Sequence, residues 1–292
     1  MKQDAFSKSH PAVNFLFFVG AIGCSVMIQH PAYLFAGIVT GVAYYVLLNG
    51  RKSWKMILGL VPLFLFLTAI NPLFNTYGKT PLLDLFGKPY TLEALLYGAA
   101  IASVFVVTIL WFGCYNKVLT SDKFTCLFGN LIPAISLLLV MVFRLVPNLM
   151  RKAAQISGAR KSIGKGAGEA ATAKEKRNDG MTVLCALTSW ALEGSVVTGD
   201  SMRARGYGSA KRSSFMIYRM TAADWVLFAT ILLLLVLVIV AACLGHMTAT
   251  FTPELQIAPV SLWLVPYTLY LLIPTALHIK EAILWHISRS KI

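Results

Sequence analysis

Residues Trp225 to Gly245 read WVLFATILLLLVLVIVAACLG, a run without one charged side chain. A helix needs roughly 20 apolar residues to cross a bilayer, and this run supplies them. Working outward, further charge-free runs extend from Pro11 to Gly50, Met56 to Gly78, Ala94 to Asn116, Phe124 to Phe143 and Leu255 to Ile279. Over all 292 residues, 57% are hydrophobic and 13% charged. A soluble domain carries roughly one quarter charged residues, so a water-soluble globule is excluded and lipid must solvate most of this chain.

The first run is about twice the length a span requires. Gln29-His30-Pro31 divides it into two helices. Lys2 and Lys8 precede an apolar stretch in the manner of a signal peptide, but no small-x-small cleavage site follows. Ala21-Ile22-Gly23-Cys24 has a faint lipoprotein character, which the immediate second hydrophobic helix argues against. Spans are expected at Pro11–Ile28, Ala32–Leu48, Met56–Leu73, Leu92–Tyr115, Trp225–Gly245 and Ala258–Leu277. The fold class is therefore an all-α polytopic membrane protein with about six spans.

Charge distribution sets the orientation. With the N-terminus in the cytoplasm, every Lys and Arg lies inside except Lys79 and Lys88, which satisfies the positive-inside rule. Both termini and the stretch from Lys117 to Arg219 are then cytoplasmic. Residues 1–116 hold the N-terminal transmembrane helices, 117–219 a helical cytoplasmic insertion, and 220–292 the C-terminal transmembrane helices. The Phe124–Phe143 run is long enough to span, but one crossing would put the basic insertion outside. Lys123, Arg144, Arg151 and Lys152 flank it, and Pro133 and Pro147 interrupt regular helix. It is read as non-spanning and buried against protein at the cytoplasmic face.

Within the insertion, Leu145–Ile163 is expected to be helical, Gly164–Gly180 an exposed small-residue connection, and Met181–Val197 a second helix. Leu184, Leu187, Ala191 and Leu192 form its apolar stripe. Most of the basic residues are explained by topology and by attraction to anionic lipid headgroups. No nucleic-acid-binding motif accompanies the charge.

Cys24, Cys114, Cys126, Cys185 and Cys243 are scattered through apolar sequence, with no zinc spacing and no disulfide framework. His10, His30, His246, His278 and His286 are the obvious groups for a membrane enzyme, yet they form no metal motif. Gly158 to Gly166 looks like a phosphate-binding loop at first sight. Its glycines Gly158 and Gly164 are too far apart, however, and Gly166 stands where a magnesium-binding hydroxyl is required. Catalysis and nucleotide binding by this chain alone are not expected. An ion-coupled carrier is the main alternative, but it needs ionisable groups mid-span. Glu93 and Asp224 lie instead at helix starts, beside Thr91 and Thr221, where capping and the helix dipole explain them.

One segment is more specific. Ser201-Met202-Arg203-Ala204-Arg205-Gly206-Tyr207-Gly208 holds an Ala-Arg-Gly tripeptide at Ala204-Arg205-Gly206. A second candidate is Ala159-Arg160-Lys161, with Lys161 where glycine would complete the pattern. Together with His10-Pro11, Asn71-Pro72-Leu73-Phe74-Asn75, Gly78 and Thr80, these features resemble the transmembrane T component of energy-coupling factor (ECF) transporters. The resemblance covers most of the chain. It implies that Ala159, Arg160, Ala204, Arg205 and Gly206 meet two partner ATPase subunits, which hold the ATP and magnesium. It also implies that a separate membrane subunit, the S component, captures a vitamin or metal ion, and that the complex sits in a prokaryotic cell membrane. Guanidinium suits such a contact because it stays charged and presents a planar fork of donors. Gly206 can supply a left-handed residue ending a coupling helix. The Phe124–Phe143 stretch is read either as contact with the S component or as packing within this chain.

Overall fold

The computed structural model describes residues 5–75, 80–85, 88–120, 123–124, 126–127, 133–164, 172–209, 218–250, 256–259 and 261–289. Gly78, Lys79 and Gly166, all used in the sequence reading, lie outside them. The elements in order are α1 (Ala5–Lys8), α2 (Pro11–Met27), α3 (Pro31–Asn49), α4 (Ser53–Phe74), β1 (Pro81–Leu85), β2 (Lys88–Thr91) and α5 (Leu92–Val118). They continue with α6 (Pro133–Ser162), α7 (Ala173–Ala204), α8 (Ala222–Cys243), β3 (Ala249–Thr250), β4 (Gln256–Ile257) and α9 (Leu264–Arg289). β1 with β2 and β3 with β4 form small antiparallel pairs; helices make the rest of the architecture.

By length and composition, residues 31–74, 92–118, 173–204 and 222–243 are each apolar enough to cross a membrane, and Pro11–Met27 is a shorter apolar helix. The first segment is not one rod. Gly50, at φ 56°, separates α3 from α4. Helices thus occur at each of the expected span positions. The last begins at Leu264 instead of Ala258, because Gln256–Ile257 pairs with Ala249–Thr250. The chain is an all-α polytopic membrane protein.

Residues 1–124 and 218–292 make one compact unit, and 125–217 a second. In the first, Phe17, Phe18 and Tyr44 gather around Trp111, all of them fully buried. Tyr270 of α9 donates to the Phe17 carbonyl of α2 at 2.8 Å. The hydrophobic effect does not draw helices together inside lipid, so close packing and such hydrogen bonds must hold them.

His-Pro pairs start two consecutive helices. His10 Nδ1 accepts from Ala12 N–H and His30 Nδ1 from Ala32 N–H, each at 3.2 Å, while Pro11 and Pro31 occupy the first helical position. Proline lacks the N–H that a helix start leaves unpaired, and its fixed φ suits that position. Imidazole provides the cap. His30 Nε2 then donates to the Ala258 carbonyl at 2.8 Å, which pins the start of α3 to the β4 end and fixes the ring's tautomer.

Two lysines close helix ends in the same unit. Lys117 donates to the Leu48 carbonyl and, at 2.7 Å, to Asn49 Oδ1, so a cation of α5 meets the negative end of α3. Lys123 is nearly buried. It donates to the Ser7 carbonyl, to Ser7 Oγ at 3.0 Å and to the Val118 carbonyl at 3.0 Å.

The second unit corrects the sequence reading in three places. α6 runs unbroken from Pro133 to Ser162: Pro133 is its first residue and Pro147 lies inside it. Proline costs nothing at a helix start, and mid-helix its neighbours evidently hold the turn despite the lost hydrogen bond. Leu138, Val140, Met141, Val142 and Phe143 are exposed, whereas Phe124 is half-buried against the main core, so this chain covers only part of the described apolar stretch. The connection is shorter than expected, because helix resumes at Ala173 and extends to Ala204.

A capping box explains that early start. Thr172 Oγ accepts from Glu175 N–H at 3.4 Å, and Glu175 accepts from Thr172 N–H at 2.8 Å. The Thr172 backbone donor, followed by its hydroxyl, holds the Glu175 carboxyl below the usual carboxylate range. A depressed folded-state pKa stabilises above the unfolded value, and that contribution is lost as pH falls through the folded one. Acidification below about pH 4 should therefore fray the first turn of α7. Amide hydrogen exchange at Thr172, Glu175 and Lys176, corrected for its intrinsic pH dependence, should show lower protection at pH 3 than at pH 7. Thr172→Ala should show that loss already at pH 7.

Candidate functional site

α6 and α7 pack as an antiparallel pair, and the contacts fix their register. Arg160 Nε meets Asp179 Oδ1 at 2.5 Å, while Lys152 Nζ lies 5.7 Å from the centroid of the Trp190 ring. The sequence positions rise along α6 as they fall along α7. Half-buried Leu149, Ala153, Ile156 and Arg160 line α6, and half-buried Asp179, Val183, Leu187, Trp190 and Gly194 line α7. Spacings of three and four on both helices make the seam of an antiparallel pair. Leu187 and Ala191 of the expected stripe belong to this seam; Leu184 and Leu192 are exposed on a different face.

This register separates the two arginine motifs. Ala159 and Arg160 occupy the last turn of α6, beside the first part of α7. Ala204 is the last residue of α7, and Arg205 and Gly206 follow it directly. At a rise of 1.5 Å per residue, Asp179 and Arg205 stand roughly 39 Å apart along α7. Arg160 and Arg205 are thus at opposite ends of one hairpin, each at the C-terminal end of its helix.

Their surroundings also differ. Arg160 is half-buried and paired with Asp179, side chains 22% and 16% exposed, so this guanidinium also braces the hairpin. Sequence reading missed that brace, because Asp179 fell in a stretch taken for a loop. Arg205 is exposed, with no ion-pair partner among the described residues. It lies at the negative end of the α7 dipole, which favours a cation there.

The end of α7 has a defined shape. Arg205 is the C-cap; Gly206 N–H bonds the Arg203 carbonyl at 2.9 Å and Tyr207 N–H the Met202 carbonyl at 3.0 Å. This pair of bonds is a Schellman motif and needs a left-handed residue after the cap. Gly206 provides it at φ 79°, as the sequence led us to expect. Ser209 fastens the turn by donating from N and Oγ to the Gly206 carbonyl, at 3.1 and 2.7 Å. Gly206→Ala should cost about 1 kcal/mol locally, the penalty of placing a Cβ in left-handed backbone. A Cβ there would also stand 3.1 Å from Ser209 Oγ. Hydrogen exchange at Gly206 and Tyr207 amides should accelerate roughly fivefold.

Other polar groups fall to structural roles. Asp224 completes a capping box with Thr221 and accepts from His10 N–H at 3.2 Å. Glu93 instead accepts from Thr80 Oγ at 2.7 Å. Among the described residues no three His, Cys, Asp or Glu side chains gather as a metal site.

No protein-family model matches the chain, and no curated protein is significantly similar to it. The fold itself defines the class: a helical, polytopic membrane protein with a helical-hairpin insertion.

Proposed function

We propose that this chain is the transmembrane T component of an ECF-type importer, coupling two ATPase subunits to a substrate-binding membrane subunit. The observation that carries the reading is the placement of Arg160 and Arg205. One antiparallel hairpin presents two arginines at opposite ends, each just where a helix finishes. Two copies of an ATPase fold can each take one end. The permanent charge and fork geometry of guanidinium suit a carboxylate or the carbonyl end of a helix on each partner.

In this proposal ATP and magnesium are bound and hydrolysed by the partners. Their movement reaches the hairpin through Arg160 and Arg205, with Ala159, Ala204 and Gly206 allowing close backbone approach. Exposed Leu138, Val140, Met141 and Phe143 on α6 offer the substrate-binding subunit an apolar, partly flexible surface. The solute is a vitamin or metal ion chosen by that subunit, and the hairpin faces the cytoplasm.

The test is affinity purification of the tagged wild-type chain from its native cells in mild detergent, with mass spectrometry of what accompanies it. Two ATPases and a small membrane protein should be recovered. An intact chain that brings down no ATPase would overturn the proposal, as would proton-driven solute accumulation by the purified chain alone.

A further inference from the structure

The face of α7 turned away from its seam with α6 carries a second pattern. Met181, Leu184, Leu192 and Val196 are 63%, 58%, 65% and 64% exposed. With Thr188 between them they follow one another at intervals of three or four, so they lie on one stripe. The same spacing reaches Lys174 and Arg177 at one end and Arg203 at the other. The carboxylates lie elsewhere: Glu175, Asp179, Glu193 and Asp200 are separated by four or by multiples of seven, which places them together on another stripe. One face of α7 is thus apolar with cations at both ends and no carboxylate.

We propose that this face binds the anionic surface of the bilayer, with α7 lying in the plane of the interface. Met181, Leu184, Leu192 and Val196 enter the boundary between headgroups and acyl chains, and Lys174, Arg177 and Arg203 meet lipid phosphate or carboxylate. Charge complementarity selects this occupant. The helix is long and apolar enough to cross the membrane, yet crossing would carry Glu193 into hydrocarbon, where a lone carboxylate is costly. Lying flat leaves Glu175, Glu193 and Asp200 in water, while Asp179 stays paired with Arg160 in the seam. The proposal does not rest on the importer reading, since it concerns lipid and the hairpin alone.

The full chain, without partners, is reconstituted in liposomes with and without anionic lipid. Cys126, Cys185 and Cys243 are replaced by serine, and buried Cys24 and Cys114 are left in place. An environment-sensitive fluorophore is attached at Thr188→Cys, on the stripe, or at Ala186→Cys, on the acidic side. With anionic lipid, nitroxide on the upper acyl chain should quench the Thr188 probe roughly threefold more than the Ala186 probe, and aqueous iodide should do the reverse. Lys174→Glu with Arg177→Glu and Arg203→Glu should remove that difference. Equal lipid quenching of both probes, as a spanning helix would give, overturns the proposal. So does iodide quenching of the Thr188 probe that disappears only when a protein partner is added.

Discussion

Arg205→Glu should reach the membrane at wild-type yield yet recover at least tenfold less ATPase, and solute uptake in cells should fall with it. Arg205 is exposed and has no ion-pair partner among the described residues, so reversal breaks no ion pair within them. Its effect on the fold is limited to a negative charge at the negative end of α7, at most about 1 kcal/mol. The proposed contact loses far more. Reversing one member of a buried, hydrogen-bonded charge pair costs roughly 2–5 kcal/mol, or more than tenfold in affinity. Arg205→Lys separates charge from geometry: it should retain the attraction but lose the fork, giving an intermediate recovery. Normal ATPase recovery by Arg205→Glu would remove this residue from the proposed coupling site. Arg160→Glu should differ in kind, because it also breaks the brace to Asp179 and so loosens the hairpin before any partner binds.

The second large effect is expected at Gly20, in the membrane unit. A Cβ on Gly20 would collide with Tyr270 Oη and stand 2.8 Å from Leu235 Cδ1, where α2, α8 and α9 meet. Leu235 can turn aside. Tyr270 cannot do so freely, since its hydroxyl is buried and donates to the Phe17 carbonyl. Gly20→Ala must push α2 away or break that bond, at about 3 kcal/mol from overpacking and a stranded polar group together. The detergent-solubilised protein should therefore lose much of its folded fraction on heating, measured by size-exclusion chromatography after incubation. Adding Tyr270→Phe removes the colliding oxygen and should recover most of the loss. A double variant no more stable than Gly20→Ala would show that the hydroxyl is not the obstacle.

Particular residues show why some of this was readable beforehand. Trp225–Gly245 could be nothing but a membrane helix, because no other environment accommodates so long a charge-free run. Thr221 beside Asp224 gave a helix start that the structure repeats, since a capping box is a local device. The Thr172–Glu175 box is just as local but was hidden by its small-residue surroundings. Pro147 misled for a physical reason: its cost to a helix is real, yet it is outweighed when the turns on either side persist.

The candidate site divides along the same line. Gly206 ends α7 because only glycine enters left-handed backbone without cost, so that role was visible in the tripeptide. The pairing of Arg160 with Asp179 was not, because an ion pair between two helices depends on which faces meet and in what register. The division of Leu184 from Leu187 into different faces was also hidden, since a short apolar pattern does not say how many partners it serves.

By itself, then, the sequence determined that the long charge-free runs are membrane helices, and it showed the Thr221–Asp224 cap and the Gly206 helix end, which depend on composition and on neighbours a few residues away. Only the tertiary structure decided that α6 and α7 form one antiparallel hairpin with its arginines at opposite ends, and that α7 leaves an apolar, cation-bordered face uncovered. These follow from contacts between residues distant in sequence, and their register is set by side-chain packing that no local pattern encodes.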